Sequence, residues 1–138
     1  MVTLAVDYGD RHLGLAVSTI AGPMPLDPVD IKTQAWNQRV AHIVDQYEIG
    51  SIIVGYSSGN AELLAKVKAF CTALEGLTSL PVELVDESMT SQWAESVLRS
   101  LELPSRAVKA KSHSIAAVKL LIAFEEGKKR GIISFTNT

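Results

Sequence analysis

The sequence predicts an α/β fold, a mixed sheet with an N-terminal antiparallel hairpin, flanked by helices. Three observations predict it. Residues 2–19 hold two apolar runs broken at Gly9, Asp10 and Arg11, with Leu13, Leu15 and Val17 alternating in the second, which is the pattern of a β-hairpin. Residues 51–55, SIIVG, form a short apolar β-branched run of the kind found in parallel strands covered on both faces. Beyond them, helix-like and strand-like segments alternate, as they do where helices join strands of one sheet.

The elements follow in chain order. The stretch GPMPLDP at 22–28 carries three prolines and a glycine, which neither continue a helix nor sit in a central strand. It reads as a loop leading into a short strand, Val29–Thr33. Between Trp36 and Glu48, the residues Trp36, Val40, Ile43, Val44 and Tyr47 recur at helical spacing. A second helix over about 60–75 carries Leu63, Leu64, Val67, Phe70, Cys71 and Leu74, with Gly76 as its expected C-cap. Pro81 introduces a strand, VELV, that ends at Asp86 and Glu87. Thr90 or Ser91 then caps a helix bearing Ala94, Val97, Leu98 and Leu101, closed by Pro104. The last helix spans about 112–126, capped by Ser112 or Ser114, and the tail GIISFTNT reads as an edge strand or a frayed end. The predicted order is β-β-β-α-β-α-β-α-α.

A length of 138 residues predicts one domain over 1–138. Hydrophobic residues at 47% and charged residues at 20% describe a globular chain rather than a disordered one. No signal-like start and no apolar run near the roughly 18 residues of a membrane span is present, so the expected location is cytoplasmic. The single cysteine, Cys71, lies in an apolar helical pattern and reads as a small buried hydrophobe.

The net charge of −2 argues against nucleic acid as a partner until its distribution is read. Residues 1–98 carry five basic and twelve acidic residues, whereas 99–130 carry eight basic (Arg99, Arg106, Lys109, Lys111, Lys119, Lys128, Lys129, Arg130) and three acidic. That asymmetry suits an acidic metal site beside a basic track that follows phosphates, although a solvated helix face gives the same pattern.

Asp7 stands near the end of the first strand with Gly9 just beyond. Asp86 and Glu87 stand at the end of VELV, where functional groups gather in α/β sheets. Asp86 and Glu87 point to opposite faces if the chain is still extended, so at most one of the two faces Asp7. Converging carboxylates repel one another unless a cation neutralises them, which makes a hard divalent ion the natural third member. A P-loop is absent, since no G-x-x-x-x-G-K-[ST] occurs.

The segments LAVDYGDRHLGLAVS, IIVGYSSGN, LPVELVDESMTSQWAESVL and KSHSIAAVKLL together resemble the YqgF family, also called RuvX, described as Holliday junction resolvase-like and as a pre-16S ribosomal RNA nuclease. Asp7, Gly9, Arg11, Gly14 and Ala16 match its opening D-x-G-x-x-R-x-G-x-A. Gly55 matches the strand end G-L-P, but Tyr56 and Ser57 replace Leu and Pro. Asp86, Glu87 and Thr90 match D-E-R-x-T-T, with Ser88 in place of Arg and Ser91 where Thr is frequent. Ser114, Ala116 and Ala117 match D-S-x-A-A, and His113 stands where the acid belongs.

The resemblance implies a ribonuclease H-like fold whose metal site uses three acids, of which Asp7 and Glu87 carry over. It implies Asp7, Glu87 and His113 as the catalytic set, Asp7 and Glu87 as ligands of Mg²⁺ or Mn²⁺, and Arg11 as a phosphate contact, while the basic track of 99–130 offers Arg106, Lys109 and Lys111 as further nucleic-acid contacts. An imidazole in place of a carboxylate removes a charge and a hard oxygen ligand, which moves preference towards Mn²⁺. Alternatively, His113 is a proton donor or phosphate contact. Two readings follow: an endonuclease acting on structured RNA or branched DNA, and a catalytically degenerate member that binds nucleic acid or a protein partner without cleavage. A resolvase cuts a junction twice and is expected to form a homodimer, which an RNA-trimming nuclease does not require. The actin-like ATPase and sugar kinase superfamily also opens on a D-x-G strand, but its members close two such domains around a nucleotide, more than 138 residues provide.

Overall fold

The computed structural model describes residues 2–56, 61–86, 99 and 112–130, with the side chains of 114–127 in the last stretch. Its strands are β1 (Val2–Tyr8), β2 (His12–Thr19), β3 (Gly22–Asp30), β4 (Ile49–Tyr56) and β5 (Val82–Asp86). Its helices are α1 (Trp36–Gln46), α2 (Ala61–Thr78) and α3 (Ser112–Arg130). The sheet order is β3-β2-β1-β4-β5. β2 pairs antiparallel with both β1 and β3, and β4 pairs parallel with β1 and β5. The expected mixed sheet with its opening hairpin is therefore present. Apart from Arg99, the helix expected over 90–101 lies outside the described residues, as does the tail 131–138.

β1 runs through the centre, with Leu4, Ala5 and Val6 all fully buried, because both sheet faces are covered. Strand alternation sorts the side chains. Leu4, Val6, Leu13, Leu15, Val17, Ile52 and Val54 face Val40, Ile43, Val67, Phe70 and Leu74 of α1 and α2. Ala5, Ala16, Ile53 and Val85 face Ala117, Val118 and Leu121 of α3. Ala5 and Ala16 are direct cross-strand partners, so the sheet offers α3 a shallow floor across β1 and β2. Each large aliphatic chain fully buried in this way contributes about 1.5–3 kcal/mol.

Three expectations are corrected. The proline-rich stretch 22–28 belongs to an edge strand, β3, which ends at Asp30 rather than Thr33. The expectation took these prolines as incompatible with a central strand, and among the described residues β3 has a neighbour on one side only. Leu15–Leu26 and Leu13–Val29 are partners, so Asp27 and Pro28 together oppose Gly14 in a bulge, where a missing N–H is tolerated. Gly76 lies inside α2, which continues to Thr78. Ser79, at φ 58°, ends the helix instead, its N–H bonding the Glu75 carbonyl at 2.9 Å. Thr78 Oγ1 donates to the Leu74 carbonyl at 2.8 Å and accepts from the Leu80 N–H at 3.2 Å. The last helix also runs to Arg130, beyond the expected 126. Gly9 does have a steric reason: a Cβ there would lie 2.9 Å from the His12 carbonyl oxygen, which accepts the Gly9 N–H in the tight β1–β2 turn.

A Cβ at Gly76 meets nothing within 4 Å. Gly76→Ala is therefore expected to stabilise the chain by roughly 0.5–1 kcal/mol, the helical cost of glycine, seen as a higher urea midpoint at unchanged m-value. A lower midpoint would contradict the helical assignment of this residue.

Burial, and secondarily the charge of Glu75, pushes the Cys71 thiol from its ordinary 9.0 up to about 11. The unfolded chain thus loses this proton first, so Cys71 leaves stability unchanged below about pH 9 and subtracts from it as pH rises from about 9 to 11. At pH 8 a thiol reagent is expected to label Cys71 only as fast as the chain unfolds. Rapid labelling of the native protein counts against the buried thiol.

Candidate functional site

Asp7 stands one residue before the end of β1, half-buried. It shares parity with Ala5 and so lies on the α3 face, whereas Tyr8 turns to the other face. There the Tyr8 ring packs on Phe70 with centroids 5.0 Å apart, and Phe70 packs on Trp36 at 4.9 Å, which fixes the strand end from beneath. Both cross-strand partners of Asp7 are glycines, Gly14 on β2 and Gly55 on β4. Partners in a ladder direct side chains to the same face. The Asp7 carboxylate is consequently flanked by glycine on both neighbouring strands, so neither β2 nor β4 sets a side chain beside it in its row. Its donor is a hard carboxylate oxygen, the chemistry that suits Mg²⁺ or Mn²⁺.

The first turn of α3 is pinned to the same region. Ser114, fully buried, was expected as an N-cap but instead reaches into the sheet. Its Oγ accepts the Leu15 N–H at 3.1 Å and donates to the Leu26 carbonyl at 2.5 Å, joining β2 to β3 beside the bulge. Leu15 follows Gly14, the partner of Asp7. Asp7 and the helical turn that contains His113 thus meet on one sheet face around Gly14. The His113 side chain lies outside the described residues.

At the tip of the hairpin, Arg11 pairs with Asp30, its Nε donating to Oδ2 at 3.0 Å, rather than with the neighbouring Asp10. The Arg11 carbonyl also accepts the Ile31 N–H at 2.8 Å. The Lys32 N–H bond to Oδ1 at 3.0 Å holds the Asp30 carboxyl below its ordinary range, with Arg11 adding to this and partial desolvation opposing it. Asp10 is exposed and lines, with Glu62, Leu63 and Lys66 of α2, an open cavity of about 200 Å³.

Asp86 pairs with Tyr56 and has the parity of Leu84, whose side chain packs on the α1 and α2 side. Asp86, the last residue of β5, is thereby on the face opposite Asp7. Glu87, Arg106, Lys109 and Lys111 lie outside the described residues. Among the described residues no three histidine, cysteine or acidic side chains form a metal-holding group. Sequence reading missed Asp30 altogether. It also recognised Ser114 only as a motif match and possible cap, because its partners are 99 and 88 residues away.

Comparison with known proteins agrees with this layout. The RuvX family model, described as Holliday junction resolvase, matches residues 1–124. A Pelotomaculum thermopropionicum protein named "Putative pre-16S rRNA nuclease" is 31% identical, the match covering 94% of this chain and 90% of that protein. One of the same name from Koribacter versatilis is 33% identical over 94% of this chain and 88% of its own length. Among solved structures, T. thermophilus RuvC in complex with a Holliday junction substrate superposes with a TM-score of 0.67 at 17% identity, covering 99% of both chains. The fowlpox virus Holliday junction resolvase gives 0.59 at 14% identity over 92% of this chain and 99% of its own. The fold is thus ribonuclease H-like.

Removing the Ser114 hydroxyl leaves a buried N–H and carbonyl without it. Ser114→Ala is expected to lower stability by about 1–3 kcal/mol, measured by urea denaturation. A variant as stable as the parent would show that the bridge carries no weight.

Proposed function

Because this chain belongs to the RuvX family, whose model spans residues 1–124, we propose that it is a metal-dependent endonuclease acting on structured nucleic acid. The observation that carries the reading is the setting of Asp7: a carboxylate flanked by Gly14 and Gly55, on the face where α3 begins. Glycine on both flanking strands sets no side chain beside the carboxylate, which suits a phosphodiester and which a merely structural aspartate at a strand end does not require.

In this reading Asp7 and Glu87 hold Mg²⁺ or Mn²⁺, Glu87 being preferred to Asp86 because Asp86 stands on the other face. Bound there, the ion supplies positive charge to the phosphodiester and Lewis-acid activation of water. Arg11 contacts a phosphate oxygen, and Arg106, Lys109 and Lys111 extend the contact along the backbone. His113 takes the place of the family's third acid and donates a proton to the oxygen leaving phosphorus. The departure at His113 also favours a second reading, a family member that binds nucleic acid or a protein partner without cutting it.

The two are separated by incubating the full chain with a four-way DNA junction and with a structured pre-16S-type RNA, in Mg²⁺ and in Mn²⁺. Cleavage is expected to be weak or Mn²⁺-dependent, to fall roughly 100-fold or more in Asp7→Asn, and to rise in His113→Asp as the third carboxylate returns. Full Mg²⁺-dependent cleavage that His113→Asp abolishes would make the imidazole itself essential. Binding of either probe without cleavage by the parent or by His113→Asp would favour the second reading. Selective cutting of the junction by a homodimer, or of the RNA, decides the substrate class.

A further inference from the structure

Resting on the nucleic-acid-cleaving reading, we propose that Asp30 is a positioning residue that presents the Arg11 guanidinium to a substrate phosphate. Asp30 is the partner of His12 in the β2–β3 ladder and is wired on every side. Its Oδ1 accepts from the Lys32 N–H at 3.0 Å and its Oδ2 from Arg11 Nε at 3.0 Å. Its N–H donates to Gln34 Oε1 at 2.7 Å. Its carbonyl accepts the N–H groups of Thr33 at 3.2 Å and Gln34 at 2.8 Å.

Stability does not explain this arrangement. The Arg11 side chain is 57% exposed, and ion pairs so exposed contribute little to folding. The hairpin tip is already tied to the chain after β3 by the backbone bond from Ile31 to Arg11, so the side-chain pair is not needed for that. What the pair does accomplish is orientation. A guanidinium is a planar fork of five donors. Among the described residues its Nε alone is engaged, which fixes the plane and leaves both terminal nitrogens for a phosphate. An arginine already ordered loses less rotamer freedom on binding. Arg11 is four residues from Asp7 across the tight hairpin turn, at the same end of the sheet.

The sign of the effect separates this role from a bystander charge. A nearby aspartate that only repels phosphate weakens binding, so its neutralisation tightens it. A positioning aspartate does the opposite. The experiment measures binding and cleavage of a labelled four-way DNA junction and a structured RNA by the full chain over a salt series. The variants are Asp30→Asn, Asp30→Glu, Arg11→Gln and the Arg11→Gln/Asp30→Asn pair. Asp30→Asn is expected to weaken binding about three- to tenfold, acting on KM more than on kcat. Asp30→Glu restores most of the loss, and Asp30→Asn adds nothing to Arg11→Gln. Arg11→Gln reduces the salt slope by about one phosphate contact. By NMR, the Arg11 Nε–H signal is expected to be protected from solvent exchange in the parent and Asp30→Glu, and exposed in Asp30→Asn.

Unchanged or tighter binding by Asp30→Asn, or an equal loss with and without Arg11, overturns the Asp30 role while leaving the nuclease reading intact. A parent chain that binds neither probe overturns the nuclease reading and this inference with it. Binding by the parent that Arg11→Gln leaves untouched overturns the assignment of Arg11 and therefore of Asp30.

Discussion

A single hydroxyl ties the last helix to the sheet of this molecule. Next to the Leu15–Leu26 pair the β2–β3 ladder meets a bulge, and Ser114 Oγ accepts from one strand and donates to the other. A buried backbone group left without a partner costs more than an ordinary hydrogen bond yields, so the bulge and the helix are mutually dependent. The bulge requires a hydroxyl from outside the sheet, and α3 can deliver it only by starting where it does. The bond acts together with the apolar contacts of Ala117, Val118 and Leu121 on Ala5 and Ala16, and it fixes the first helical turn beside Leu15, next to Gly14.

The same constraint gives physical content to the motif residues. Ala16 pairs with Ala5 and lets the helix come close, whereas larger side chains would lift it from the sheet. Gly14 serves two ends at once. It clears the row beside Asp7, and it faces the two-residue bulge of Asp27 and Pro28. Gly55 clears the other side. All four lie on the α3 face, where the alanines make room for the helix and the glycines make room beside Asp7.

The hairpin, α1, β4 and β5 were legible in the sequence because each depends on local periodicity: Leu13, Leu15 and Val17 alternate, and Val40 and Ile43 recur at helical spacing. The misreadings share a cause, since each concerned a residue whose meaning depends on a distant neighbour. Prolines 23, 25 and 28 are tolerable in a strand only when nothing pairs on their outer side, and chain order does not reveal which strand ends a sheet. Gly76 resembled a stop signal, but the true stop at Ser79 has an uncommon positive φ in a non-glycine residue. Ser114 resembled a cap because its partners lie far back in the chain. Of the candidate site, Asp7 and Arg11 were visible as residue types at motif spacing. Asp30 was not, because an aspartate in a proline-rich stretch carries no local signal of the arginine that it grips.

The prolines of β3 have one further effect. The Leu26 carbonyl points towards β2, where Ser114 reaches it, so the alternation of the strand turns the backbone nitrogens of Pro23 and Pro25 outward. An exposed sheet edge normally offers a row of donors to any extended chain that drifts alongside, which is how strands add to one another in aggregates. Here two successive outward donor positions are capped by ring carbons. A strand adding at that edge, from a second copy or elsewhere, would go without those two ladder donors and pair more weakly.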